Sequence, residues 1–309
     1  MPPRPRLKPP SRILSPVPLR RRSLISLGPV TSSQAHRIEP FHSPLTTNPS
    51  SRAYSSSEPV KEKEKESELI PSGHWYSSII SRLGKCIMFG CSRGQARKIA
   101  ELLRSVTAEW RDLTAGAAGF LTGGNTGFVD QKLAFGDTES WGYISNYNYL
   151  RYVESSRVNW FKHFATLDPK NGVQWRELML PKGPSLILQS FRSSYKFPLK
   201  YPDIVSAYHK LQSLPTSKDK IIFINSIVIS HRQKRVGAAT RETVVLFNHL
   251  VNQKTTIPPF MLNMFQDIWH QQEAEEKRAR ERIFELTREV RKFEKQTWDR
   301  EGAVEDMGT

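Results

Sequence analysis

"FGDTESWGYISNYNYLRYVESSRVNWF", residues 135–161, sets two carboxylates, Asp137 and Glu139, ahead of a lone glycine, Gly142, and then becomes aromatic. From Tyr149 onward, Tyr149, Val153, Trp160 and Phe164 fall on one face at helical spacing, while Arg151, Glu154 and Lys162 point elsewhere. That pattern predicts a helix of about five turns over residues 146–165. Downstream the composition changes. Residues 185–197, 203–211, 219–230 and 237–250 are rich in β-branched and aromatic side chains, and "PLKYP", "PTSK" and "HRQKRV" divide them. Such segments read as strands. A further strand, "FVDQKLAF" (128–135), precedes the helix. One long helix followed by a meander of four strands is α+β, not alternating βαβ, and the antiparallel sheet is expected to wrap the helix.

Outside this unit, "GQARKIAELLRSVTAEWRDL" (94–113) carries Ile99, Leu102, Leu103, Val106, Trp110 and Leu113 at helical spacing and predicts an amphipathic helix. Residues 115–127, "AGAAGFLTGGNTG", read as a loop, because no Lys-Ser or Lys-Thr follows to make them a phosphate cradle. After Pro258-Pro259 two helical segments are expected, "FMLNMFQDIW" and then residues 271–298. In the second, Ala279, Ile283, Leu286, Val290 and Phe293 form a coiled-coil-like seam of about two heptads. This seam suits either packing on the chain's own domain or a partner helix. "GCSRG" (90–94) matches the GxSxG nucleophile elbow and follows the apolar "CIMF". The elbow needs a parallel βαβ sheet, which the meander contradicts, so Ser92 is set aside.

The chain has 309 residues, 38% hydrophobic and 25% charged, which fits one globular domain with tails. No run reaches the roughly 18 apolar residues of a membrane span. The first 57 residues hold eight Arg, one Lys, twelve Ser and one acid, Glu39. That composition is expected of a mitochondrial transit peptide, cut after Tyr54 in "RAYS", with a basic disordered tail as the alternative. Removing residues 1–54 lowers the net charge from +16 to +8 (37 basic, 29 acidic). Only Cys86 and Cys91 are present and the histidines are scattered, so no metal site and no cofactor are expected. "EPVKEKEKESELIPS" (58–72) reads as a charged linker.

The stretch from Asp137 through "YLRYVESSR" resembles the hotdog-fold acyl-CoA thioesterases, in particular the branch typified by 4-hydroxybenzoyl-CoA thioesterase. That branch has a D-x-D at a strand end, a glycine three residues on, and an asparagine-containing turn into a helix. "YKFPLKYPDIVSAYHKL" is similar to the superfamily's strand, turn and following strand. With "CIMFG" and "EWRDLTAGAAGFLT", residues 85–270 are similar to a group of fungal mitochondrial thioesterase-like proteins. The resemblance implies a hotdog fold with extra N-terminal and C-terminal helices. Together with the composition of the N-terminal part, it divides the chain into a leader (1–54), a linker (55–73), a helical extension with the glycine-rich loop (74–127), the hotdog domain (128–257) and a C-terminal helical tail (258–309). It also implies a homodimer or dimer of dimers acting on an acyl-CoA in the mitochondrial matrix.

Thioester hydrolysis needs a carboxylate that attacks or activates water, and donors aimed at the developing oxyanion. A strand end and a helix N-terminus seven residues further on supply both, if the loop between them folds back. On the family's pattern the carboxylate is Glu139, the glycine is Gly142 and the donor is the Asn146 backbone N–H, with Asp137 as a second carboxylate or a turn cap. The chain departs from that pattern: Glu139 stands for the usual aspartate, Tyr143 for a histidine and Ser145 for the first asparagine. A second reading therefore stays open, a binding or assembly factor at the mitochondrial ribosome or on RNA, using the basic hairpin "HRQKR" (231–235) and the C-terminal helix. Asn148 and Arg151 are expected to hold the loop, Glu154 and Arg157 to pair at i, i+3, and Asp203 to fix a turn. His209 and His231 are expected to be structural residues on strands.

Overall fold

The central helix, Asn146–Leu167 (α3), buries Tyr149, Tyr152, Val153, Trp160, Phe161 and Phe164 on one side, close to the face that periodicity selected. In this computed structural model the described residues are 73–124 and 126–299. The expected leader, the linker as far as residue 72 and the last ten residues lie outside them. The other elements are α1 (Trp75–Met88), α2 (Arg93–Gly116), β1 (Gly127–Lys132), α4 (Gly172–Glu177), β2 (Pro184–Tyr195), β3 (Ile204–Leu211), β4 (Ile221–Ser230), β5 (Arg235–Asn248), β6 (Gln253–Lys254) and α5 (Pro259–Gln296). Among the described residues the strands form a six-stranded antiparallel sheet in the order β1-β3-β4-β5-β2, with β6 on β5. This is an α+β hotdog fold, with the sheet curled around α3 and helices added at both ends.

The four-strand meander needs correcting. Only β3, β4 and β5 are a meander. β2 pairs with β5, not with β3, so residues 196–203 must carry the chain across the end of the sheet. Pairing order is set by which edge is free, and local periodicity does not contain that information. The crossing segment is tied down where it passes the start of α3: Ile144 N–H donates to Leu199 O at 2.9 Å, and Tyr143 bridges Lys200. β1 opens on glycine because it runs very close to β3. A Cβ on Gly127 would meet Ala207 O at 2.5 Å.

Alternation along the strands gives each sheet face its own core. On the inner face, Leu211, Ile222, Ile224, Val244 and Leu246 pack with Trp160, Phe161 and Phe164 of α3 and with Met261, Phe265 and Ile268 of α5. On the outer face, Tyr208, Ile227 and Ile229 pack with Ile79 and Leu83 of α1, Ile99, Val106 and Leu113 of α2, and Ala279, Ile283, Leu286 and Val290 of α5. The seam residues through Val290 therefore lie in the protein's own core. Truncating an aromatic as buried as Trp160 costs about 3–5 kcal/mol.

One further expectation changes. The residues after Pro258 form one helix, not two: α5 runs unbroken from Pro259 to Gln296. No glycine or proline interrupts residues 260–296, so nothing ends the helix near Trp269. The "CIMF" run ahead of Ser92 is helical at its start. Its first three residues close α1, and Ser92 begins α2 as its N-cap, accepting from Gln95 N–H while Gln95 Oε1 accepts from Ser92 N–H. The literal GxSxG match is a capping box. Ser92 lines a cleft of about 840 Å³ with Lys98, Glu101 and Arg282, and no histidine is among the lining residues.

Candidate active site

The six residues between Glu139 and Asn146 fold, with their flanks, into a small hairpin. Glu139 N–H donates to Tyr143 O and Gly142 N–H to Glu139 O, both at 2.8 Å, and Thr138 bridges Ile144. Gly142 sits at φ +73°, a backbone state that a side chain would strain. One residue further along the ladder, Ser145 N–H donates to Asp137 O at 3.1 Å. The two carboxylates lie on the first arm of this hairpin, yet their surroundings differ.

Asp137 is 9% exposed and fully engaged. Its Oδ1 accepts from Arg151 at 2.9 Å, and its Oδ2 accepts from the Tyr152 hydroxyl and the Ala134 N–H, each at 3.2 Å. Its carbonyl also receives the Asn148 side-chain amide at 2.9 Å. Burial first, and the Asp137 charge with it, push the Tyr152 phenol up to about 12 against the opposing pull of Arg151, so the phenol stays a donor. Asp137, Asn148, Arg151 and Tyr152 form a latch that seats the hairpin on α3. Asn148 is fully buried, and its Oδ1 has no partner.

Glu139 is exposed, and its carboxylate makes no hydrogen bond or ion pair among the described residues. Asn146 is the first residue of α3, and Ser145 provides no side-chain cap. The Asn148 N–H returns to Ser145 O at 3.0 Å, while the N–H groups of Asn146 and Tyr147 find no acceptor among the described residues. The helix N-terminus is thus left uncovered, with its partial positive charge facing outward. Phe135, Trp141, Tyr143 and Tyr147 stand exposed around it, Trp141 at 81%. Lys200 lies over the Tyr143 ring at 4.9 Å. The described clefts of about 840, 540 and 560 Å³ are not lined by Glu139, Gly142 or Asn146. Within one chain, this group of residues is an open surface.

A second polar constellation had no signal in the sequence. Between α3 and the inner sheet face, Ser156 Oγ meets His209 Nδ1 at 3.0 Å, and His209 Nε2 meets Glu242 Oε1 at 2.9 Å. Glu242 also accepts from Ser226 at 2.8 Å and pairs with Arg157, and Ser226 bonds Thr240. Burial acts to raise the Glu242 carboxyl, but His209, then Arg157 and Ser226, outweigh it and hold the group below the ordinary carboxylate value. The distances are those of a hydrolytic triad. All six side chains are buried, however, and Ser156 Oγ is already committed to Ala207 O at 2.7 Å. Ser156, Arg157, His209 and Glu242 line none of the described clefts. His209 is a satisfied core residue, and Arg157 takes Glu242 as its close partner, with Glu154 only at 3.8 Å. His231 belongs to the turn after β4 rather than to a strand, with Nε2 on Ser206 Oγ at 2.8 Å. Asp203 accepts from the Ile204 and Arg232 N–H groups and from Ser230, so it fixes the start of β3 against the β4–β5 hairpin.

The family model of the thioesterase-like superfamily matches residues 133–265, from just before the hairpin into the first turns of α5. Solved structures similar to the chain include a putative thioesterase from Pseudomonas aeruginosa, 18% identical at TM-score 0.36, covering 45% of this chain and 98% of its own. A Thermus thermophilus thioesterase complexed with coenzyme A and zinc is 16% identical at TM-score 0.37, with coverage of 48% and 96%. A gentisyl-coenzyme A thioesterase is 25% identical at TM-score 0.34, with coverage of 43% and 95%. No curated protein matches at a significant level.

Proposed function

We propose that the chain hydrolyses the thioester of a fatty or aromatic acyl-CoA, with Glu139 as the working carboxylate and the Asn146 N–H as the oxyanion donor. One observation carries this reading: of the two carboxylates at the hairpin, Glu139 is unpartnered and stands on the same short loop as an uncovered helix N-terminus. Glu139 takes a proton from water, and the resulting hydroxide adds to the thioester carbon. The oxyanion is held by the Asn146 N–H and the α3 dipole. Collapse breaks the carbon–sulfur bond, and the thiolate of coenzyme A regains the proton from Glu139. Gly142 permits the turn, and Asp137 positions the hairpin through Arg151 and Tyr152.

The exposed aromatic apron supports a site completed by a second copy of the chain, because a single chain leaves Phe135, Trp141 and Tyr147 in water. The arginine-rich leader supports work in the mitochondrial matrix, as in the fungal proteins it resembles, with no cofactor beyond the substrate's own coenzyme A. The test is a panel of acyl-CoAs offered to the purified chain. Glu139→Ala is expected to lower kcat/KM at least about a hundredfold with an unchanged melting temperature. Turnover indifferent to this substitution refutes the assignment.

A further inference from the structure

We propose that the uncovered half of the outer sheet face binds single-stranded RNA through a cross-strand row, Arg192, Arg241, Asn225 and Lys210, flanked by Phe223. The proposal is independent of thioester hydrolysis, since α3 lies against the opposite face. The strand registers build the row: Arg192 is opposite Arg241, Arg241 opposite Asn225, and Asn225 opposite Lys210. Three cations and an amide thus lie in one line across β2, β5, β4 and β3. Neighbouring strands are about 4.8 Å apart, so the line spans roughly 14 Å. It is directed outward, because Asn225 alternates with Ser226 and shares its face with Ile227 and Ile229 of the outer core.

Helices cover only part of this face. The packed part ends at Tyr208, Ile227 and Ala239, one row away, and Ala118 and Phe120 after α2 form the wall of a cleft of about 540 Å³ whose floor includes the row. Lys210 leans on that wall, donating to Ala118 O and lying 5.4 Å over the Phe120 ring. Lys196 adds a fourth cation at the rim.

Three observations point to a ligand. Arg192 and Arg241 are like charges directly opposed across two strands, an arrangement that destabilises a sheet, and neither has an acidic partner among the described residues. The Asn225 Oδ1 in the cleft is buried without a hydrogen bond. A rotation of the Asn225 amide would bring this orphan acceptor to the cleft floor, where a ligand that carries a donor along with its negative charge, as a ribose 2′-hydroxyl beside a phosphate does, satisfies it. One row further along β4, Phe223 is 44% exposed on the same face, where an unpaired base can stack. Guanidinium groups for phosphate, an amide oxygen for ribose and a ring for a base together match single-stranded RNA better than a bare anion.

Fluorescence anisotropy with a labelled ten-nucleotide oligouridylate tests this on the full chain, so that the basic N-terminal residues are common to every variant. Arg192→Gln with Arg241→Gln is expected to weaken binding at least tenfold near 0.1 M salt. It also flattens the dependence of log affinity on log salt by about 1.4, at roughly 0.7 per phosphate contact. Phe223→Ala weakens binding about five- to hundredfold and leaves the salt slope unchanged. The double arginine variant melts no lower than the parent, because it removes a like-charge pair. An unchanged salt slope, a lower melting temperature, or a loss seen only with Arg232→Gln and Lys234→Gln in the hairpin overturns the proposal. Equal affinity for a ten-nucleotide oligothymidylate overturns the assignment to RNA.

Discussion

Two regions of the molecule gather carboxylates near α3, and they treat them in opposite ways. Between α3 and the sheet, Glu242 is sealed among His209, Arg157 and Ser226. At the N-terminal end of the same helix, Glu139 is exposed and has no partner among the described residues, while Asp137, two residues away, is bound on both oxygens. Triad-like distances in the first region accompany no access. In the second, access accompanies an unshared carboxylate. The proposed hydrolysis needs an unshared carboxylate and a route to it, and of these two regions the hairpin is the one that offers both.

The contrast can be broken most sharply from the buried side. Arg157→Ala leaves Glu242 short of a cation in the core and is expected to cost about 3–5 kcal/mol of stability in urea unfolding. Replacing Arg157 and Glu242 together by Met and Leu should cost much less. Asp137→Ala removes the charged acceptor for Arg151 and Tyr152, and should cost about 1.5–3 kcal/mol. It lowers turnover only by loosening the hairpin, so Asp137→Asn, which keeps the Oδ1 contact, restores part of both. Glu242 also predicts a pH dependence. Its folded pKa lies below the unfolded value of about 4.3, so its stabilisation is complete above that pH and fades as pH falls through the folded value. The urea midpoints of the parent and Glu242→Gln should therefore converge on acidification. The smallest effect is at the capping box, where Ser92→Ala should cost about 1 kcal/mol and leave any hydrolysis intact; a loss of turnover there would revive the serine nucleophile.

Legibility in the sequence followed the range of the interactions. α3, β3, β4 and β5 were readable because their burial pattern repeats every few residues. The position of β2 was not, since its partner β5 is chosen by the geometry of the whole sheet. α1 lay within the expected helical extension but was not marked off as a separate helix, because "WYSSIISRLGKCIM" mixes its buried Trp75, Ile79, Leu83 and Cys86 with polar residues. For the hairpin, Asn148 and Arg151 were readable as loop ligands because their partners are nearby in sequence. Arg157 was not: the i, i+3 rule offered Glu154, while its close partner Glu242 lies 85 positions away. The buried network draws Ser156, His209, Ser226, Thr240 and Glu242 from four separate elements, and no local window contains two elements at once. The cross-strand arginine row was invisible for the same reason.

The 38-residue helix α5 is about 57 Å long at 1.5 Å per residue, and its two ends serve different cores. Met261, Phe265 and Ile268 belong to the inner one, Ala279 to Val290 to the outer one. Between them Gln272 accepts from Leu211 N–H at 2.9 Å and donates to Leu211 O, closing the part of the β3 edge that the short β1 leaves bare. A rigid rod anchored in both cores couples their fates. Neither core can melt without pulling on the other, so calorimetry should record a single heat-absorption peak, and severing the rod after Gln272 should split it into two.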